Sequence, residues 1–398
     1  MAKLKVPSLA GEAWLNEPRL QKVLRVLNTG GVTRVAGGAV RNALLGAPVA
    51  DVDLATTLVP DKVLRLAKAA GFGVHPTGIE HGTVTVTHDG AAFEVTTLRL
   101  DIETDGRRAV VAFTEDWAED AARRDFTINA MYCDALGEIY DFTDGYADIL
   151  KRKVRFVGRP SQRIQEDYLR ILRFFRFQAF YGKGKPDEAG FKACVRLRAG
   201  LRTLSAERVR QELLKLLVAP HAVKILKVMA EAGIFKVVLP HTDEWRVLCR
   251  LPIDAVVRLF VLAREPATLK ERLRLSNADA VRLQSLSSVP EVSPALMETE
   301  RRRLLYHVGV AVWRDAVHLS WAKSRAKMDD VRWSNLLALP EHWTVPVFPL
   351  KGADILSAGF VPGPEVGQVL SALEDWWVAG DFAPTKDDLL ARLGRYRE

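Results

Sequence analysis

Cysteine is scarce in this chain of 398 residues: Cys133, Cys194 and Cys249 are the only three, and none stands in CxxC spacing. That excludes a disulfide scaffold and the paired-thiol zinc sites, and fits small buried thiols in a reducing cytoplasm. Long apolar runs are missing too. No stretch of 18 apolar residues occurs, and the opening Met1-Ala2-Lys3-Leu4-Lys5-Val6-Pro7-Ser8 has no apolar core of a secretory signal. A cytoplasmic protein with no membrane partner is expected. Of the eight histidines only His88 is followed by an aspartate, within a turn sequence, none stands in an HExxH cluster, and there is no internal repeat or low-complexity tract. Acidic residues are in the minority, 49 against 57 Lys and Arg, leaving a formal charge of +8. An excess of that sign favours a polyanionic partner, because phosphate neutralisation dominates nucleic-acid affinity.

What is present divides the chain. At this length two or more domains are expected. Residues 13–28 have helical periodicity that stops at Gly30-Gly31. Strand signals then dominate to about 155, in Val32–Ala36, Asp51–Thr56, Thr83–Thr87, Ala92–Leu98 and Ile139–Asp141, with helices at 39–45 and 61–70 and a hairpin turn at His88-Asp89-Gly90. After 160 the apolar spacing becomes three and four residues, over 161–181, 205–218, 222–232, 254–264, 267–275, 300–321 and 366–378. Ser205 reads as an N-cap, and Pro340–Pro349 as a linker. The fold class is α+β: a mixed sheet with helices, followed by an all-α remainder.

Three segments of the first region carry chemistry. Gly37-Gly38-Ala39-Val40-Arg41 offers bare backbone N–H groups and a positive charge, suited to a triphosphate through Gly38 and Arg41. Asp51 and Asp53, two apart on a strand, project from one face. Glu94, from the neighbouring run Phe93-Glu94-Val95-Thr96-Thr97-Leu98-Arg99, adds a third carboxylate. Hard oxygen ligands of this kind hold Mg²⁺, and Asp51 and Asp53 are the expected metal ligands. Nucleotidyl transfer needs that arrangement, since two ions can polarise the attacking oxygen and neutralise the leaving pyrophosphate.

A second signal lies further on. Glu166-Asp167-Tyr168-Leu169-Arg170 is expected to open a long helix on which Asp167, Arg170, Arg173 and Arg176 form one row three residues apart. Asp167 only accepts and Arg170 only donates hydrogen bonds. Cytosine and adenine share an amino donor beside a ring-nitrogen acceptor, which this pair complements; uracil and guanine present the reverse. Ile171, Leu172, Phe174, Phe175 and Phe177 crowd the other faces, so the row should border a cleft.

Gly37–Gly46, Asp51–Leu54, Arg123-Arg124-Asp125-Phe126-Thr127-Ile128-Asn129-Ala130 and Glu166–Phe177 together resemble the class II tRNA nucleotidyltransferases, the family of CCA-adding enzymes and bacterial poly(A) polymerases. The likeness is strong over about residues 13–235 and looser beyond. It implies a catalytic head at 1–155, a nucleotide-selecting helical neck at 156–235, a helical body at 236–340 and a tRNA-binding tail at 341–398. It implies addition of C, C and A to tRNA 3′ ends from CTP and ATP with Mg²⁺, or, as the alternative, poly(A) synthesis or partial CC or A addition. Arg124, Arg173 and Arg176 become nucleotide contacts, while Asp125 and Asn129 brace their turn. One departure is Asn42, where the family usually has Asp. Pro76–Thr83 lacks the basic segment associated with the poly(A) group, and no additional hydrolase domain or protein partner is expected. The basic clusters Lys151-Arg152-Lys153, Arg196–Arg202, Arg208–Lys215, Arg264–Arg274 and Arg301-Arg302-Arg303 fit a surface that tracks RNA phosphates. In the tail, Gly359–Gly367 would start a helix with free N–H groups.

Overall fold

Short strands, most of them burying one or both faces, build the sheet that positions the site. The computed structural model describes residues 5–104 and 109–396, which fall into two compact units, 1–240 and 241–398. In the first, helix α1 (Pro18–Leu27) begins at a proline capped by the Glu17 carboxylate and buries Leu20, Val23, Leu24 and Leu27. It is followed by β1 (Thr33–Ala36), α2 (Gly38–Leu44), β2 (Asp53–Thr56), α3 (Pro60–Ala69), β3 (Gly73–Gly78), β4 (Thr83–His88) and β5 (Ala91–Thr97). After a separate ribbon of β6 (Arg99–Thr104) and β7 (Ala109–Phe113) come α4 (Trp117–Ala122), β8 (Met131–Cys133) and β9 (Ile139–Asp141). The seven-stranded sheet runs β3-β4-β5-β2-β1-β8-β9, with β2 parallel to β5 and the other pairs antiparallel.

Register matters most at β2 and β5. Leu54 pairs with Val95, so one step back Asp53 lies beside Glu94, while Thr85 of β4 sits opposite Glu94 on its other side. Strand β2 starts at Asp53, so Asp51 lies in the approach to the strand rather than within it as expected. Strands β3 and β8 were not expected either. The first is an edge strand with Pro76 and two glycines and hardly any burial; the second is three residues buried throughout, with no alternation to read.

Helices α5 (Gly145–Leu150), α6 (Pro160–Glu166), α7 (Leu169–Tyr181), α8 (Glu188–Leu197), α9 (Ala206–Leu217) and α10 (Ala222–Glu231) complete the first unit. The expected helix over 161–181 is two helices. Asp167 is extended (φ −157°, ψ 108°), and its Oδ1 accepts from the Leu169 N–H at 3.1 Å. A short acidic side chain competing for backbone donors ends one helix and starts the next. Phe126, Phe156, Phe174 and Phe175 are fully buried. Phe156 stacks on Phe174 with ring centres 5.4 Å apart, and Phe126 meets Phe177 at 5.0 Å. These ring contacts fasten α7 to the turn at 123–130.

The second unit is helical by itself. Helix Glu298–Lys323, interrupted at Gly309 (φ 75°), packs through Trp313 and Trp321 on Trp333 and Leu336 of helix Val331–His342. Pro340 lies within that helix, so the expected linker begins only after His342. Ile355, Leu373, Trp377 and Leu389 form a further core, which includes helix Pro364–Ala379, begun at Gly363. Among the described residues no strand follows residue 160, and no helix is long and apolar enough to cross a membrane.

Candidate functional site

An open cleft of about 680 Å³ lies beside the β2–β5 pair inside the sheet, lined by Asp51, Asp53, Thr85 and Glu94 and by Trp14, Glu17 and Arg19 of the N-terminal segment. Sequence reasoning missed the last three; a cap, its ion-pair partner and a lone tryptophan carry no motif. Arg19 is the one cation lining the cleft among the described residues, and it is taken up by Glu17 at 2.5 Å. Among the described residues, Asp51, Asp53 and Glu94 accept no side-chain or backbone hydrogen bond and form no ion pair. Partial burial, reinforced by the charges of Glu94 and Asp51, holds the Asp53 carboxyl above its ordinary range, although Arg124 pulls the other way. No three Asp, Glu, His or Cys side chains among the described residues converge tightly enough to enclose a cation by themselves. Two crowded carboxylates without protein partners suit a cation that takes its remaining ligands from water and phosphate, as Mg²⁺ does.

The glycine turn, the 123–130 turn and α7 form a second network. Gly37 has φ +65°, and a Cβ there would stand 3.1 Å from Arg124 Nη1 and 3.3 Å from the Asn129 carbonyl, so only glycine suits. Gly38 carries no such restriction: its nearest neighbour is Arg41 Nη2 at 3.8 Å. Arg41 turns inward. It is 7% exposed, donates to Asn42 Oδ1 at 2.8 Å, to Asn129 Oδ1 and to the Tyr181 hydroxyl at 2.9 Å, and lies over the Tyr181 ring at 4.2 Å. Its donors are engaged by the protein rather than directed at the carboxylates. Asn42 takes the place of an acidic partner as a neutral acceptor, and its amide reaches the Pro48 carbonyl at 3.0 Å.

Arg124 is held by a buried acid. Asp120, 1% exposed, accepts from Arg123 Nε at 2.8 Å, from Arg124 Nη2 at 3.2 Å and from the Tyr132 hydroxyl at 2.6 Å. Burial works against its charge, and these donors outweigh it, keeping the carboxyl below the usual range. Asp120 carries no sequence signal beyond its place in a short helix. Asp125 accepts from Asn129 Nδ2 at 3.1 Å and from Arg173 at 2.6 and 2.8 Å, so both residues brace the turn.

Each of the four residues of the expected row has a partner of opposite charge. Arg170 donates to Glu166 at 2.6 Å and to the Arg163 carbonyl at 2.7 Å. Arg173 pairs with Asp125, and Arg176 with the buried Glu212 at 2.7 Å. Asp167, off the helix, accepts from Arg208 at 2.7 Å. Arg163 ties the N-terminal end of this region to the catalytic turn through the Arg123 and Arg124 carbonyls. Of the residues singled out in the sequence, the structure brings Asp51, Asp53 and Glu94 into one cleft. It joins Arg41, Asn129, Asp125 and Arg173 into one chain, and places Arg124 between the two groups.

Comparison with known proteins gives the same picture from outside. Residues 33–155 match the family model described as "Poly A polymerase head domain", and residues 185–246 match "Probable RNA and SrmB- binding site of polymerase A". The chain is 36% identical over 388 residues to CCA tRNA nucleotidyltransferase 1, mitochondrial, of Danio rerio, covering 91% of this chain and 87% of that protein. It is 32% identical over 391 residues to a CCA-adding enzyme of Streptococcus pneumoniae, covering 94% and 96%. Among solved structures, the Bacillus stearothermophilus CCA-adding enzyme in complex with CTP matches with a TM-score of 0.76 at 27% identity, covering 95% of this chain and 96% of that one. With the cleft, the two turns and this likeness along nearly its whole length, the chain belongs to the CCA-adding tRNA nucleotidyltransferase family.

Proposed function

We propose that this chain adds C, C and A to the 3′ end of tRNA, using CTP and ATP and releasing pyrophosphate, without a nucleic-acid template. The observation that carries the reading is the cleft over β2 and β5, where the Asp51, Asp53 and Glu94 carboxylates form no ion pair among the described residues. Asp51 and Asp53 are the residues to hold Mg²⁺, which when bound activates the terminal hydroxyl and neutralises charge on the triphosphate. Glu94 adds negative charge beside Asp53 and supports the same ion. The bare backbone at Gly37 and Gly38 and the Arg124 guanidinium receive the triphosphate, and Arg41 positions the turn from behind.

Base choice belongs to Asp167 and Arg170, whose partners Arg208 and Glu166 leave each with unused hydrogen-bonding capacity. Arg173 and Arg176 line the same nucleotide position, their charges set by Asp125 and Glu212. In this reading the head spans 1–155, the neck 156–235, and the body (236–340) and tail (341–398) hold the tRNA. Cytoplasmic placement goes with it, with Cys133 and Cys194 buried as free thiols.

Incubation of the full chain with tRNA ending before CCA, and each NTP in turn, tests the reading. CTP alone should add two residues, CTP with ATP three, and UTP or GTP none. Unbounded tailing with ATP alone would replace the reading with poly(A) synthesis.

A further inference from the structure

A second cavity of the first unit, about 560 Å³, lies where three segments meet: the end of α5 with its turn (Leu150–Arg152), the end of α7 with its turn (Phe180–Gly184), and the start of α10 (His221–Ile225). Lys151, Arg152, Lys183 and Lys224 line it, all four exposed, and no Asp or Glu does. Among the described residues none of the four forms an ion pair. Their neighbour Lys153, by contrast, is paired with Asp187 at 2.7 Å.

The arrangement is fixed by the backbone. The Lys183 N–H donates to the Arg152 carbonyl at 2.9 Å, and the His221 N–H to the Ala179 carbonyl at 3.1 Å. Arg152 itself is held at φ 51°, a conformation that a long side chain adopts rarely. Four like charges gathered round one cavity repel each other, and a polyanion relieves that repulsion.

We infer that this cavity is a docking point for an RNA phosphodiester backbone, reached through Lys151, Arg152, Lys183 and Lys224. The inference rests on the proposed tRNA substrate and adds a contact surface to it. Three of the four cations lie outside the 185–246 segment that matches the RNA-binding family model. A backbone, rather than a small polyphosphate, fits the geometry. The three lysine charges stand exposed on flexible stems as point charges, beside the forked guanidinium of Arg152, which suits tracking phosphates in sequence-independent contact. Phe180 and Tyr181 add ring surface, and the Tyr181 hydroxyl accepts from Arg41, so the cavity wall also touches the glycine turn.

The test uses the full chain with Lys151→Gln, Lys183→Gln and Lys224→Gln combined, which keeps the stems and removes the charge. Affinity for tRNA lacking CCA is measured between about 50 and 200 mM salt. The inference expects roughly tenfold or greater weakening near 0.1 M salt, and a slope of log K against log salt shallower by about 2 to 3. Arg65→Gln with Lys68→Gln, on exposed positions of α3, should leave both unchanged. If the triple variant melts early, the three single variants carry the test, each expected to lower the slope by about 1.

Wild-type protein that fails to bind tRNA at low salt sinks the RNA reading altogether. Wild type that binds, with a triple variant of equal affinity and slope, sinks this inference alone. Equal RNA binding in both, together with pyrophosphate raising the melting temperature of the wild type and not of the variant, makes the cavity a small-polyphosphate site and overturns the RNA assignment.

Discussion

The cleft over β2 and β5 and the row on α7 are built from the same materials and solve opposite problems. In the cleft, Asp51, Asp53 and Glu94 form no ion pair among the described residues, and Asp53 is pushed toward its neutral form despite the charge of Arg124. Along α7, Arg170, Arg173 and Arg176 each have a carboxylate at hand, from Glu166, Asp125 and Glu212. Burial works against the charge of Arg173, and Asp125 with Glu212 more than restores it. The first region is electrostatically frustrated by itself, and a bound cation would relieve it. The second is preorganised, so in the proposed function a nucleotide would meet a scaffold that need not rearrange. Binding and selection can therefore be rigid, while the chemistry depends on what the substrate brings.

Substitutions can break or sharpen that contrast. Asp53→Ala should lower single-turnover C addition by on the order of 10³-fold or more, with tRNA affinity within about twofold of wild type. Activity retained within tenfold would remove the distinction between the two regions. Asp125→Ala, in the partnered region, should destabilise the fold by roughly 3 kcal/mol in urea unfolding, because Arg173 loses the one carboxylate oxygen that accepts from both its Nε and its Nη2. Glu94→Gln, in the frustrated region, should cost no stability. Equal losses from the two would contradict the comparison.

Asp167→Ala should leave C addition running but raise UTP and GTP misincorporation by about 10- to 100-fold relative to CTP and ATP, measured as kcat/KM ratios. The smallest effect is one of pH. The Asp53 carboxyl titrates higher in the folded chain than in the unfolded one, so its ionised form weakens the fold at neutral pH. Asp53→Asn should therefore melt slightly above wild type at pH 7 in the absence of divalent metal. That advantage should vanish below about pH 3.9, where the unfolded carboxyl is also protonated. A variant that melts lower at pH 7 would show that Asp53 is stabilised in the fold, not strained.

Much of this was readable in the residues, and the exceptions share a cause. A charge within an apolar run marked Glu94 in the sequence, and the parallel register of β2 and β5 sets it beside Asp53. The turn at 123–130 was visible as a motif, and Asp125 and Asn129 do brace it. What could not be read was decided by partners far away in the chain. Arg41 looked like a phosphate ligand beside two glycines, yet Asn129 and Tyr181, 88 and 140 residues further on, draw it inward. Asp167 looked helical from the spacing around it, but its own carboxylate captures the Leu169 N–H and breaks the helix. Asp120 holds Arg124, Arg123, the Tyr132 hydroxyl and the Arg99 N–H while sitting in an ordinary acidic stretch. Local pattern predicts which face a residue occupies; long-range pairing decides where its charge points.

The most direct test of the central claim is Mn²⁺ binding followed by electron paramagnetic resonance, in the presence of a non-hydrolysable CTP analogue. Wild type should bind the ion, and the Asp51→Asn/Asp53→Asn double variant should bind it at least tenfold more weakly while retaining tRNA affinity. Unchanged Mn²⁺ affinity in the double variant would mean that these two carboxylates do not hold the metal.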